Sequence, residues 1–253
     1  MRRCITLRAV AALSAAALPA FVSHRPRTSL NEESMSLPSS STTSLPSSSS
    51  TSFIRFIGTG SSTGCPKPIC LLSSSALPEH SKLYCKGSRI ANEGDPKHNK
   101  NYRGNPSILI GYRPSSSSST PSPSANIVVD VGKTFREHFI RWIPSLPAPY
   151  SVPSVDAVVL THEHMDAYGG LDDLRGVQHF GVTMPVHLSP KTLKVVKGTF
   201  PYLFPKPPKP GEVKRHVASV EFNEFAPFKP FDVNGFEITP LPVIHGEDCV
   251  CFG

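Results

Sequence analysis

The sequence predicts an α/β domain built around a mixed sheet. Short apolar runs alternate along the chain with segments whose apolar residues recur at helical spacing, which is typical of this class. The run Ala157–Leu160 is apolar throughout, as expected for a strand buried on both faces. Asn234-Gly235 lies between two short apolar runs and predicts a two-residue hairpin, which adds an antiparallel pair.

In the first half of the chain, a strand is predicted at Phe53–Ile57, and it ends in the glycine-rich run Gly58–Gly64. Lys67–Gly104 has little periodicity and is predicted to be a long loop. Two apolar strands are predicted next, at Ser107–Tyr112 and Asn126–Asp130.

The second half continues the alternation. A helix beginning near Phe135 is ended by Pro144, and the spacing of apolar residues in Leu171–Val177 predicts an amphipathic helix. Ser189-Pro190 predicts another helix start, because serine caps the first turn and proline fits its first position. Further strands are predicted at Pro185–Leu188 and Thr239–Ile244.

Residues 1–52 are predicted to be a targeting leader followed by a Ser/Pro-rich disordered linker. Residues 1–31 contain five arginines and no acid, and such ends are typical of transit peptides. We therefore expect a plastid or mitochondrial location, with a secretory signal or an untargeted tail as alternatives. The globular domain is expected at residues 53–253, with a second disordered Ser/Pro insertion at 114–125.

Composition and charge indicate which partners and which compartment are favoured. The net charge is +7, but without the five leader arginines 21 basic residues stand against 19 acidic ones, so nucleic acid is not favoured as a partner. No apolar run reaches the roughly 18 residues that a membrane span needs. The six cysteines are irregularly spaced, which argues against a secreted disulfide framework and favours a reduced compartment. We expect Cys249 and Cys251 to be core thiols.

The pattern that carries chemistry is His162-Glu163-His164-Met165-Asp166, directly after the buried strand. Two imidazoles one residue apart can converge on one cation, and zinc takes nitrogen and oxygen ligands of this kind. By itself the pattern fits two solvated loop histidines beside a helix-capping aspartate equally well. Its position at the end of a strand favours the metal site.

A resemblance to a known family rests on five segments in order: Gly58–Gly64, Val129–Gly132, Leu160–Ala167, Gly170–Arg175 and Pro240–Gly246. Together they resemble the metallo-β-lactamase superfamily, in the branch of the phosphoribosyl 1,2-cyclic phosphate phosphodiesterases and close to tRNase Z. The likeness is greatest to plant and algal members. It implies the αββα sandwich, of which about the N-terminal half is expected in this sequence.

The resemblance implies a role for each matching residue. His162, His164 and His245 would bind the first metal ion, and Asp166 would serve a second ion and the catalytic step. Asp130 would not bind the metal itself but would orient one of the histidines that do. Two ions, zinc or manganese, would activate a hydroxide for attack on a phosphodiester in a small phosphorylated substrate.

Two departures from the family weaken this expectation. Ala167 stands where the family has a histidine, and the family's further metal ligands come later than Gly253. The sequence is therefore expected to be truncated, to leave a sheet face unburied, and to show little or no hydrolase activity as written. Alternatives are a tRNA 3′-processing nuclease, a thioester hydrolase of the glyoxalase type and a non-catalytic metal-binding protein.

The same branch of the family places a structural zinc after the glycine loop. Cys65, Cys70 and Cys85 lie in that region, so they are candidate zinc ligands. Closed zinc sites need four ligands, which keeps three unliganded thiols as the alternative. A homodimer is a further candidate assembly.

Overall fold

The computed structural model describes residues 51–72, 79–114, 124–148, 150–179, 181–204, 217–246 and 250–253. Residues 1–50 of the predicted leader, and residues 115–123 of the predicted insertion, lie outside the described residues. Within the described ranges, every helix is too short or too polar to cross a membrane.

A six-stranded mixed sheet forms the centre of the domain. Its strands lie side by side in chain order: β1 Phe53–Gly58, β2 Ser107–Tyr112, β3 Ala125–Val129, β4 Ala157–Val159, β5 Met184–Leu188 and β6 Val220–Glu224. The first two pairings are antiparallel, and the three from β3 to β6 are parallel. The predicted α/β class with a mixed sheet is confirmed. β3 begins at Ala125, inside the stretch predicted to be disordered.

Helices cover one face of this sheet. The α-helices are α1 Pro68–Leu71, α2 Glu79–Ala91, α3 Phe135–Trp142, α4 Met165–Tyr168 and α5 Pro190–Thr199; 3₁₀ helices span Leu171–Gly176 and Pro201–Leu203. Leu109, Val128 and Val158 of the sheet pack in one buried cluster with Phe135 of α3 and Val196 of α5. As predicted, Ser189 caps α5, since its hydroxyl accepts a bond from the Thr192 N–H.

The predicted loop at Lys67–Gly104 is wrong, because this segment contains α1 and α2. The described buried side chains of α2 are Cys85, Ser88 and Ala91, three residues apart. Small residues can pack a helix closely, so the described part of α2 shows no row of large apolar side chains at helical spacing. The amphipathic helix predicted at Leu171–Val177 is instead a 3₁₀ helix, whose three-residue turn fits the Leu171–Leu174 spacing equally well.

Two short antiparallel strand pairs follow the six-stranded sheet along the chain. β7 Phe231–Val233 and β8 Phe236–Ile238 pair through Asn234-Gly235, and both turn residues have the positive φ of the predicted hairpin. Phe231, Phe236 and Ile238 pack against Ile127, Ala157 and Val159, so this hairpin covers part of the second sheet face. β9 Pro242–Ile244 pairs with β10 Val250–Phe252.

Part of that second face is uncovered. On β1, Ile54 and Phe56 are 64% and 66% exposed, and they pair in register with Ile110 and Ile108 of β2. Side chains on paired residues share a sheet face, so these four residues form one apolar strip. Among the described residues, an apolar strip on this face is therefore partly exposed to solvent.

Candidate metal centre

The candidate site lies at the carboxyl ends of two parallel strands. Asp130 follows β3, and Thr161 and His162 follow β4, whose Val159 is in register with Val129. The Asp130 N–H donates to the Val159 carbonyl oxygen at 2.9 Å, which continues the pairing to the edge. Side chains at this edge of an α/β sheet converge in a crevice, where such domains place their ligands.

Three histidines converge there. The ring centroid of His162 lies 4.8 Å from the ring centroid of His164 and 4.8 Å from that of His245. The ring centroids of His164 and His245 are 5.3 Å apart. Their ligand nitrogens lie within 4.8 Å of one another. His162 is buried, whereas His164 and His245 are exposed. Two nitrogens bound to one tetrahedral zinc ion at about 2.0–2.1 Å lie roughly 3.3 Å apart, so binding an ion would draw the three rings closer together.

His245 reaches this cluster from a different sheet. It follows β9, which is shorter than the strand predicted at Thr239–Ile244. The partner strand β10 is fixed to the loop before His162, because the Phe252 N–H donates to the Thr161 carbonyl oxygen at 3.0 Å. The β9–β10 hairpin therefore determines whether the third histidine meets the other two.

The two ring nitrogens of His162 differ in their surroundings. Nδ1 lies 2.8 Å from the Thr161 hydroxyl, while Nε2 is buried and has no hydrogen-bond partner among the described residues. Burial lowers the pKa of His162, with the nearby Asp166 charge acting in the opposite direction. A neutral imidazole with a buried lone pair is the form that binds a metal, so the chemistry of this site fits a divalent cation.

Asp166 lies at the edge of the cluster. Its Oδ1 is 3.8 Å from Nε2 of His162, and it stands in the first turn of α4. The next residue, Ala167, is 1% exposed, and its backbone N–H donates to the His164 carbonyl oxygen. A methyl group therefore occupies the position at which the family has a further metal-binding histidine.

Asp130 contacts Thr161 rather than a histidine. The Thr161 N–H and hydroxyl donate to its two carboxylate oxygens at 2.8 and 2.7 Å. Asp130 is 8% exposed and has a φ of 61°, which is uncommon for a residue other than glycine. Burial raises the pKa of Asp130 to about 7, although the Thr161 bonds lower it. The expected contact with a ligand histidine is thus made indirectly, through Thr161.

Gly132 lets two segments of the site approach closely. The Val131 N–H donates to the Ala167 carbonyl oxygen, and the Gly170 N–H donates to the Val131 carbonyl oxygen, both at 2.6 Å. A Cβ atom on Gly132 would lie 2.0 Å from the Asp166 carbonyl oxygen. Only glycine fits this approach, which holds the Asp166 turn against the end of β3.

Three residues at the site were not found by sequence reasoning. Thr161 bonds both Asp130 and His162, and Lys191 of α5 pairs with Glu163 at 2.6 Å. Cys251, which we expected to be a core thiol, places its sulfur 3.9 Å from Nδ1 of His162. Cys249 lies outside the described residues. No spacing signal identifies these contacts, because each joins residues distant in the chain or depends on backbone geometry.

The three candidate zinc cysteines behave differently from the histidines. Cys70 and Cys85 are buried, and a hydrogen bond between their thiols lowers the pKa of Cys70 and raises that of Cys85. The Cys65 backbone instead forms a bridge with Arg103. In the described part of the chain, the three histidines are the one group whose ligand atoms come together, and the three thiols do not form another.

Comparison with known proteins gives a family match and similar solved structures. Residues 125–249 match the family model described as "beta-lactamase superfamily domain". A diphosphatase from the PhnP family has a similar structure, with a TM-score of 0.52 and 23% identity over 80% of this chain and 63% of that chain. The short form of human tRNase Z gives a TM-score of 0.41 and 10% identity over the same shares of the two chains.

A curated relative is an octanoyltransferase from Porphyromonas gingivalis (strain ATCC BAA-308 / W83). It is 28% identical over 191 residues, which are 76% of this chain and 30% of the relative. This chain thus spans less than a third of that protein and under two thirds of the PhnP-family diphosphatase.

Fold and site together define an α/β domain with a histidine cluster at the edge of its parallel strands. Residues 125–249 match a beta-lactamase superfamily domain, and the fold is that of the metallo-β-lactamase group. This confirms the predicted fold, and the matched segment agrees with the predicted superfamily. The plant or algal type and the truncation stay predictions.

Proposed function

We propose that this chain is a metal-dependent hydrolase that cleaves phosphodiesters. The convergence of His162, His164 and His245 carries the proposal, because three imidazoles around one point form a binding site for a divalent ion. Zinc and manganese both suit this set when Asp166 adds a carboxylate oxygen. Phosphodiesters are proposed as substrates on the resemblance of the five sequence segments to the cyclic phosphodiesterase branch.

The roles of the residues follow from their positions. His162 would present the buried Nε2 lone pair, and the two exposed histidines would complete the ligand set from the solvent side. Asp166, 3.8 Å from Nε2, would bind a second ion or orient a water molecule. A bound ion supplies Lewis acidity, which lowers the pKa of a water molecule to near neutrality and stabilises charge on a phosphoryl oxygen.

A non-catalytic metal-binding protein is the second candidate function. The buried methyl group of Ala167 favours it, since that position offers no ligand to a second ion. Two-ion hydrolases hold both the attacking and the leaving oxygen, and a single ion supports fewer of these contacts.

The test combines metal titration with turnover. Zinc and manganese would be titrated into metal-free protein by calorimetry, and hydrolysis of bis(p-nitrophenyl) phosphate would be followed with each ion. His162→Ala removes a proposed ligand, and His98→Ala is the control, because the His98 side chain is 85% exposed and pairs only weakly with Asp95 at 3.9 Å.

Each outcome decides between the candidates. Turnover that requires the ion and disappears in His162→Ala, but not in His98→Ala, supports the hydrolase and overturns the expectation of an inactive chain. Ion binding at the histidines without turnover contradicts the hydrolase and supports the metal-binding protein. Failure of both ions to bind would contradict both candidates.

A further inference from the structure

We propose that Thr161 is a positioning residue whose hydroxyl links Asp130 to His162 and leaves Nε2 of His162 as the nitrogen free to bind a metal. The inference rests on the proposed metal site, and it adds a residue and a proton position that neither the motif nor the family match assigns.

The Thr161 hydroxyl has a single hydrogen to donate. That hydrogen goes to Oδ2 of Asp130 at 2.7 Å, while the Thr161 backbone N–H occupies Oδ1 at 2.8 Å. A carboxylate accepts hydrogen bonds and donates none, so the direction of both bonds is set by Asp130. In the remaining contact, at 2.8 Å, the hydroxyl oxygen must therefore accept from Nδ1 of His162.

The consequence lies on the opposite side of the ring. A neutral imidazole has one N–H, so a proton on Nδ1 leaves a lone pair on Nε2. Nε2 is the buried atom without a partner among the described residues, and the ring lies 4.8 Å from those of His164 and His245. Asp130 and Thr161 therefore hold His162 in its ligand form before any ion is present.

Neighbouring groups compete weakly for the same protons. The Cys251 sulfur is 3.9 Å from Nδ1, but sulfur is a poor acceptor compared with the hydroxyl. Asp166 would favour a proton on Nε2, although its 3.8 Å separation exceeds a hydrogen bond. Without the Thr161 hydroxyl, nothing comparable holds the proton on Nδ1, and Asp166 would draw it to Nε2.

The test reads the tautomer directly by ¹⁵N NMR of histidine-labelled, metal-free protein. It is made at pH 8.5, where Asp130 is ionised, since its pKa is about 7. Thr161→Val keeps the shape but removes the hydroxyl, and Thr161→Ser restores it. Asp130→Asn reverses the chain, because its amide N–H donates to the hydroxyl, which then donates to Nδ1. Loss of the signal in His162→Gln assigns it.

We expect an Nδ1–H tautomer in the wild type and in Thr161→Ser, and a shift to Nε2–H in Thr161→Val and Asp130→Asn. Zinc affinity should fall about 10–100-fold in Thr161→Val, which is the usual effect of removing the hydrogen-bond partner of a metal-binding histidine. It should recover in Thr161→Ser. Thr183→Val is the matched control, because it removes an exposed threonine hydroxyl whose hydrogen bond, at 3.0 Å, is to the side chain of Ser219.

An Nε2–H tautomer in the wild type, or an unchanged Nδ1–H tautomer in both Thr161→Val and Asp130→Asn, would overturn the proposal. If Thr161→Val does not fold, Asp130→Asn provides the same test. The tautomer is read without metal or substrate, so failure of the proposed function would leave this result standing. Conversely, zinc binding with the wrong tautomer would overturn only the role of Thr161.

Discussion

The carboxylate of Glu163 lies 2.6 Å from the ammonium group of Lys191. Glu163 stands between the two histidines of the site, and Lys191 belongs to the first turn of α5. The Glu163 side chain is 11% exposed and that of Lys191 is 54% exposed, so the pair is partly shielded from water. It ties the histidine loop to a helix of the core.

This pair should stabilise the domain more than an open surface pair does. We expect a double-mutant cycle of Glu163→Gln and Lys191→Met to give a coupling energy of about 1 kcal/mol, at the upper end for ion pairs near a surface. The measurement is urea unfolding of metal-free protein. The Asp172–Arg175 pair, at 2.9 Å and with 35% and 42% exposure, is the control and should give about 0.3 kcal/mol. Equal coupling energies in the two cycles would contradict the expectation that shielding from water strengthens the Glu163–Lys191 pair.

Gly132 should tolerate no side chain. In Gly132→Ala the new Cβ would lie 2.0 Å from the Asp166 carbonyl oxygen, so the backbone of one segment must move. We expect a loss of more than about 2 kcal/mol in the free energy of unfolding, together with weaker zinc binding. Gly198→Ala is the control: it lies within α5 with nothing within 4 Å of the new atom, and should stabilise by about 0.5–1 kcal/mol. A Gly132→Ala protein as stable as the wild type would contradict this account.

The strands that could be predicted are those with a clear apolar pattern. β2 alternates buried and half-buried residues, and β4 is buried throughout, so each follows from composition. α2 could not be predicted, since its buried residues in the described part of the helix, Cys85, Ser88 and Ala91, have small side chains. β6 was not predicted either, because its sequence VEFNE is half polar, as suits an edge strand paired on one side only.

Some residues of the candidate site could likewise be predicted from the sequence, and others could not. The spacing of His162, His164 and Asp166 after a buried strand indicated a metal site, and the family resemblance added His245. The role of Thr161 could not be predicted, because it depends on the positive φ of Asp130 and on the register of β3 with β4. Backbone geometry of this kind leaves no periodic signal in a single sequence.

Metal binding should order the β9–β10 hairpin. His245 follows β9 and lies 4.8 Å from His162 between ring centroids, so an ion that binds both joins the hairpin to the β4 loop. We expect zinc to slow hydrogen exchange at Val243 and Phe252 at least tenfold, equivalent to about 1.4 kcal/mol of local stabilisation. Chelation should reverse the effect. The β7–β8 hairpin is the internal control, and protection that rises equally in both, or persists in His245→Ala, would contradict the proposed link.

Asp130 should make the stability of the metal-free domain depend on pH. Burial raises the pKa of Asp130 from 3.8 to about 7, so between these values the folded protein holds a proton that the unfolded chain has released. The contribution of Asp130 to the free energy of unfolding is therefore fully present below pH 4 and is lost as the pH rises to 7. A shift of this size corresponds to roughly 1.4 kcal/mol for each pH unit, on the order of 4 kcal/mol in all.

Asp130→Asn removes the titrating group and should flatten this slope. The free energy of unfolding would be measured by urea titration at pH 4.5, 5.5, 6.5 and 7.5 in the presence of a chelator, so that ion binding does not contribute. We expect the wild type to lose stability relative to Asp130→Asn by several kcal/mol across this range. Asp95→Asn is the control, because the Asp95 side chain is 57% exposed and its substitution should leave the slope unchanged. If the free energies of unfolding of the wild type and Asp130→Asn changed with pH in parallel, the Asp130 carboxyl would be ionised throughout this range. The hydrogen bonds from Thr161 would then outweigh the effect of burial on its pKa.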